Sequence, residues 1–185
     1  MKLILASKSP RRKEILERFG FDFEICVKET EESINPKLNV YQNAMLVARK
    51  KGEAVFKECP NDVVLSTDTM VYMNDVIYGK PKSREDAYNM LKSFSGRTHE
   101  VISGVSILAP NYDKMTYVVS FVKFKELTEE MINSYLDTDE PYDKAGSYAI
   151  QGIGKMLIEK YTGSLNNIIG LPIEEIEATL KELLK

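Results

Sequence analysis

Near the N-terminus, Ser7-Lys8-Ser9-Pro10-Arg11-Arg12 sets two guanidinium groups directly behind a Ser-Pro step. Ser9 before Pro10 is helix-start chemistry, because proline at the first helical position gives up an N–H that has no partner there. Arg11 and Arg12 then stand in the first turn, facing the positive end of the helix dipole. That placement costs roughly a few tenths of a kcal/mol or more unless an anion sits there. A turn with exposed N–H groups and two guanidinium forks suits a phosphate. A solvated basic turn explains the same residues more plainly, and the segment alone does not choose.

Asp68 follows the apolar run Val63-Val64-Leu65 within Ser66-Thr67-Asp68-Thr69, so its carboxylate is expected at a strand end near the core. It either closes an Asx-turn or holds a divalent metal or an attacking water. Glu31-Glu32, in a polar stretch, adds oxygen ligands or is simply solvated. Gly79-Lys80-Pro81-Lys82 and Ser95-Gly96-Arg97-Thr98 put cations beside glycine turns, as phosphate-contacting loops do and as ordinary turns also do. Gly152-Ile153-Gly154-Lys155 fails as a P-loop: Ala149 stands where its first glycine belongs, and Met156 replaces the metal-binding hydroxyl. No Gly-x-Gly-x-x-Gly or Gly-x-Ser-x-Gly is present. The one histidine, His99, lies between Thr98 and Glu100 at a strand start and reads as structural, which leaves acid–base work to carboxylates. Taken together, Arg11, Arg12, Lys51, Lys80, Arg97 and Lys144 at element boundaries, with Glu32, Asp68 and Asp143, are the parts of a metal-assisted nucleotide hydrolase.

Alternating strands and helices must position these groups. Lys2–Ala6 is a strand, Pro10 to about Phe19 a helix, Phe23–Val27 a strand and Lys28–Asn39 an ordered loop. Ala44, Val47, Ala48 and Val55 mark a helical stripe, in which Gly52 costs about 1 kcal/mol relative to Ala and predicts a frayed turn beside Lys51. Val63–Leu65 is a buried strand that breaks at Ser66. Met70–Met73 and Val76–Tyr78 form a hairpin about Asn74-Asp75, and Ser83 caps a helix through Phe94. Val101–Leu108 and Tyr117–Phe124 form an antiparallel pair inside the α/β pattern, so the sheet is expected to be mixed. Thr128 caps a helix to Leu136, Met156–Lys160 is a short strand and Pro172 opens a last helix.

The chain has 185 residues, enough for one domain with a sizeable core, and no linker or repeat divides it. A net charge of −3 removes the global attraction behind non-specific nucleic-acid binding. Mean hydropathy is −0.27 and no apolar run approaches a bilayer span, so a cytoplasmic protein without membrane or nucleic-acid partners is expected. Cys26 and Cys59 lie far apart in sequence with no ligand-spaced neighbour, and read as two ordinary thiols.

Six segments in order resemble the motifs of the Maf proteins, a family of nucleoside triphosphate pyrophosphatases: Leu5–Arg12, Thr67-Asp68-Thr69, Gly79-Lys80-Pro81, Ser95–Val101, Glu140–Gly152 and Asn167–Pro172. The resemblance runs essentially end to end, over residues 1–185. It implies an α/β fold with an elongated mixed sheet, flanking helices and a central cleft, akin to the inosine triphosphatase fold and often a homodimer. The implied reaction is hydrolysis of a nucleoside triphosphate to monophosphate and pyrophosphate with Mg2+ or Mn2+. Carried over by motif, Ser7, Arg11, Arg12, Lys51, Thr69, Lys80 and Gln151 become substrate contacts. Glu32 and Asp68 become metal carboxylates, with Asp68 also handling the water. Arg12, Thr69 and Gln151 match the branch acting on dTTP and UTP. The alternatives are a purine or modified-GTP pyrophosphatase and a nucleotide-binding regulator of septum formation and cell division.

Overall fold

Three short apolar runs near the N-terminus lie side by side as parallel strands: β1 (Leu3–Leu5), β2 (Phe23–Ile25) and the first part of β3 (Val63–Met73). Parallel pairing needs crossovers, supplied by α1 (Pro10–Arg18) between β1 and β2 and by α2 (Val40–Phe56) between β2 and β3. β4 (Val76–Tyr78) turns back antiparallel on β3 through Asn74 and Asp75, both at positive φ. α3 (Arg84–Phe94) follows, then β5 (Thr98–Ala109) and β6 (Tyr112–Phe124). α4 (Glu129–Leu136), β7 (Ile158–Thr162), the short α5 (Leu165–Ile169) and α6 (Ile173–Leu183) complete the chain. The computed structural model describes residues 1–185, and its seven strands make one mixed sheet in the order β2-β1-β3-β5-β6-β7, with β4 on β3. No helix is long and apolar enough to cross a membrane.

The chain divides into two compact units. The first comprises residues 1–69, 103–118 and 170–185, the second residues 70–102 and 119–169. In the first, Ile4, Ala6, Val64, Val55 and Leu108 form a buried cluster, and Ile173, Ile176 and Leu180 bury one stripe of α6. In the second, Phe94, Phe124 and Tyr148 surround His99, with ring centroids 4.3, 5.2 and 5.3 Å from the imidazole. His99 is buried and its Nε2 lies 2.7 Å from the Tyr148 hydroxyl, the structural role its sequence setting suggested.

Several expectations are corrected. β3 does not break at Ser66: it runs on to Met73, because Ser66 and Thr67 satisfy their hydroxyls within the fold. The strand expected at 156–160 begins at Ile158, residues 153–157 forming a 3-10 turn. The helix through Gly52 does not fray, since Gly52 is buried and a Cβ there would stand 2.6 Å from Ser66 Oγ; the glycine lets α2 approach β3. Ser9 occupies the N-cap of α1 but makes no side-chain cap bond, whereas Ser83 and Thr128 cap their helices as expected. Cys26 and Cys59, distant in sequence, pack against the same apolar cluster, and both are free.

Candidate active site

The first unit builds its polar centre where β1 stops and β3 continues. The Ala6 N–H still donates to Leu65 O at 2.8 Å, after which the chain leaves through Ser7 and Ser9 into α1, so β3 from Ser66 onward has no β1 neighbour. The carboxyl end of β1, with β2 on one side and β3 on the other, is where open α/β sheets receive ligands. Side chains of β3 then alternate between its two faces. Ser66 and Asp68 turn toward α2, Ser66 Oγ donating to Ala48 O at 2.7 Å. Thr67 and Thr69 turn the other way, Thr67 Oγ1 donating to Gly170 O at 3.1 Å and Thr69 Oγ1 lying 2.9 Å from Ser103 Oγ.

On the α2 face, Ala48, Lys51 and Gly52 share one helical side by their i, i+3, i+4 spacing. Lys51 Nζ donates to Asp68 Oδ1 at 2.7 Å and reaches Glu32 Oε1 at 2.9 Å. The Lys51 and Asp68 side chains are largely buried, at 17% and 14% exposure, whereas Glu32 is 60% exposed. Glu32 comes from the loop before α2. Asn43, buried on α2, pins that loop by accepting from the Asn35 N–H at 2.8 Å and donating to the carbonyls of Asn35, Leu38 and Asn39. Asn39 itself starts α2 with a reciprocal capping box to Gln42.

On the other face, Arg12 is held by neutral acceptors alone: Gly170 O at 2.9 Å, Ser7 Oγ at 3.0 Å and Thr69 Oγ1 at 3.4 Å. Burial pulls its guanidinium below the usual arginine value, and Arg11 adds to that, while Asp68 and Glu32 act in the opposite sense. Arginine nonetheless stays charged. The result is a partly buried cation with no carboxylate directly on it, next to a helix start whose first turn carries no acidic residue and no side-chain cap. An anion placed here meets the exposed N–H groups, the dipole and Arg12 together.

Ser7, Arg12 and Thr69 are therefore bonded together on one face of β3 and Glu32, Lys51 and Asp68 on the other, the two groups meeting in sequence at Asp68-Thr69, and Arg11 stands in the same helical turn as Arg12. Lys80 and Gln151 belong to the second unit, both exposed, as is Arg97, while Lys144 pairs with its neighbour Asp143. Ser103, the Gly170 carbonyl and Asn43 were not singled out by sequence reasoning. A serine within a strand carries no motif, and a backbone carbonyl has no side-chain signature even though Gly170, at φ +127°, lies within the segment Asn167–Pro172.

Glu32 and Asp68 both pair with the Lys51 ammonium, and no group of three or more His, Cys, Asp or Glu side chains is placed to hold a metal ion. Two hard oxygen donors do not make a closed protein cage. They fit an ion such as Mg2+ that takes its other ligands from phosphates and water.

The fold is that of a Ham1-type α/β protein. The Staphylococcus aureus Ham1 protein matches it with a TM-score of 0.56 at 15% identity, covering 98% of this chain and 99% of that one. By sequence the assignment is narrower: the chain belongs to the Maf-like protein family, whose model matches residues 2–183. Similar relatives include proteins named dTTP/UTP pyrophosphatase from Clostridioides difficile, 45% identical, and Fusobacterium nucleatum, 44% identical. Each alignment covers 98% of this chain and 95% of the relative. One from Aquifex aeolicus is 39% identical, over 99% of this chain and 96% of its own.

Proposed function

We propose that this protein hydrolyses nucleoside triphosphates, dTTP and UTP first among them, to the monophosphate and pyrophosphate. The observation that carries the reading is the convergence of Glu32, Lys51 and Asp68 beside an uncapped helix start with the partly buried Arg12. The near full-length identity to relatives named dTTP/UTP pyrophosphatase supports the same substrates.

In this reading the N–H groups of the first turn of α1, with Arg11, Arg12 and Lys51, bind the phosphates and stabilise charge moving onto the pyrophosphate leaving group. Ser7 and Thr69 hold Arg12 in place for that contact. Asp68 orients water for attack on the α-phosphorus and takes its proton as the bond to the pyrophosphate oxygen breaks. Glu32 and Asp68 would hold a divalent ion, which when bound neutralises phosphate oxygens. Lys80 and Gln151 contribute further substrate contacts, with Gln151 reading the base. Uracil and thymine present an N3–H between two carbonyls, and a glutamine amide supplies both an acceptor and donors for that edge. Cytosine reverses the pattern and leaves groups unpaired at about 1 to 3 kcal/mol each, or one to two orders of magnitude in rate.

The test is pyrophosphate release from dTTP, UTP, CTP, ITP and 7-methyl-GTP with Mg2+ or Mn2+, and with the metal chelated. The expected order places dTTP and UTP well above CTP, with no turnover under chelation. ITP or 7-methyl-GTP as best substrate would make it a purine enzyme. Absence of turnover on the whole panel would leave a nucleotide-binding regulator.

A further inference from the structure

Gln151 lies in a stretch, residues 148–152, with no regular secondary structure, and its side chain is exposed. A residue that discriminates between bases must be held to within a fraction of an ångström, so something outside the helices and strands has to fix this loop. Glu140 and Tyr135 do so.

The Glu140 carboxylate accepts three bonds. Oε1 takes the Ile153 N–H at 3.0 Å, while Oε2 takes the Gly154 N–H at 2.7 Å and the Tyr135 hydroxyl at 2.8 Å. Tyr135 is fully buried on α4, a rigid anchor. Its hydroxyl also bonds the backbone of Ala149, and burial together with Glu140 pushes its pKa up, so it keeps the proton it donates. A continuous chain of bonds thus runs from Ala149 through Tyr135 and Glu140 to Ile153 and Gly154, and Gln151 is the middle of the five-residue segment it closes. The glycines fit the same device. Gly152 adopts φ +82°, and a Cβ there would lie 2.1 Å from Glu140 Oε1; a Cβ at Gly154 would lie 2.4 Å from Ala149 O and 2.8 Å from the Tyr135 hydroxyl. The segment is drawn so close around the carboxylate that only glycine fits at these two positions.

We infer that Glu140, braced by Tyr135, is the positioning residue for base recognition: it fixes the Gln151 segment without touching the nucleotide. This rests on the reading of Gln151 as the base-contacting residue. A carboxylate is suited to the task because it accepts from several donors at once and charge-assisted bonds to backbone N–H groups are stronger than neutral ones. Glutamine in its place keeps one good acceptor but turns an NH2 toward a remaining donor, so it should restore the segment only in part.

The experiment measures kcat and KM for UTP and CTP, with thermal unfolding, for the wild-type chain and Gln151→Ala, Glu140→Gln, Glu140→Ala and Tyr135→Phe. Gln151→Ala is expected to bring the UTP-to-CTP ratio of kcat/KM down by an order of magnitude or more. Glu140→Ala should lower it about as far, chiefly by raising KM for UTP, with kcat at saturation within about threefold of wild type. Glu140→Gln and Tyr135→Phe should fall between. Glu140→Gln added to Gln151→Ala should lower the ratio no further, since both act on one contact. If Gln151→Ala leaves the ratio unchanged, the base-reading assignment fails and this inference with it. If Gln151→Ala collapses the ratio while the Glu140 and Tyr135 variants keep it and lose only thermal stability, the inference alone is overturned. Tyr135→Phe retains the buried ring, so it decides the matter even if Glu140→Ala does not fold.

Discussion

Gly52 lies against Ser66: a Cβ at position 52 would come within 2.6 Å of Ser66 Oγ, which is fixed by its bond to Ala48 O. Because Lys51 precedes Gly52 and Asp68 lies two residues beyond Ser66, this contact sets the approach of the helix that carries the lysine to the strand that carries the carboxylate.

Gly52→Ala is therefore expected to destabilise the protein although alanine is the better helix former. Overpacking a tight contact costs typically 1 to 3 kcal/mol, against a helix gain of about 1 kcal/mol. Urea unfolding should show a net loss of about 1 kcal/mol, and the double variant with Ser66→Ala should recover most of it. A more stable Gly52→Ala would mean that the helix and strand separate freely.

Glu32 and Asp68 share Lys51 yet differ in burial, so their substitutions should separate. Asp68→Asn removes the charge of a largely buried group bonded to Lys51 and the proton acceptor for water. Its kcat is expected to fall by roughly 10² or more even at saturating metal. Glu32→Gln, in an exposed loop, should mainly raise the metal concentration needed for half-maximal activity. Near wild-type kcat in Asp68→Asn would remove Asp68 from the chemistry.

Much of this arrangement was legible in the residues, for reasons that differ by position. Pro10, Ser83 and Thr128 announce helix starts because capping is local chemistry, and the Asn74-Asp75 turn likewise. The continuation of β3 through Ser66-Thr67-Asp68-Thr69 was hidden, because four polar residues look like a break unless their partners Ala48, Gly170, Lys51 and Ser103 are known, and those come from remote segments. Contacts of this kind leave no spacing signal. The same holds for Cys26 and Cys59, which share a cluster only because the segments after β2 and after α2 pack on it together.

Arg12 and Lys80 are expected to serve binding. Arg12→Ala or Lys80→Ala should raise KM by the loss of a charged hydrogen bond to phosphate, about 1.5 to 3 kcal/mol or roughly ten- to more than a hundredfold. Lys181, paired with Glu177 on the exposed side of α6, is the control for net charge. Equal losses in Lys181→Ala and Lys80→Ala would show an effect of overall charge rather than of a site.

Stability should fall on acidification because of His99. Burial lowers its pKa from 6.5 to about 3, among Phe94, Phe124 and Tyr148. Nδ1 is enclosed without a hydrogen-bond partner, so an imidazolium there would leave one buried N–H unpaired, with no carboxylate against the ring. Between pH 6.5 and about 3 the unfolded chain binds a proton that the folded protein refuses. The contribution of His99 is thus fully present above pH 6.5 and is lost as pH falls, at up to about 1.4 kcal/mol per unit. From pH 7 to pH 5 the loss amounts to about 2 kcal/mol. His99→Phe keeps an aromatic ring in the cage and removes the titrating group. It should be less stable at pH 7, where the buried Tyr148 hydroxyl loses its partner at about 1 to 3 kcal/mol. Its unfolding free energy should then change less between pH 7 and pH 5 than that of the wild type, by about 2 kcal/mol. Urea unfolding of both proteins at pH 7, 6 and 5 measures this difference directly; parallel slopes would mean that the folded protein accommodates a charged His99 as readily as water does.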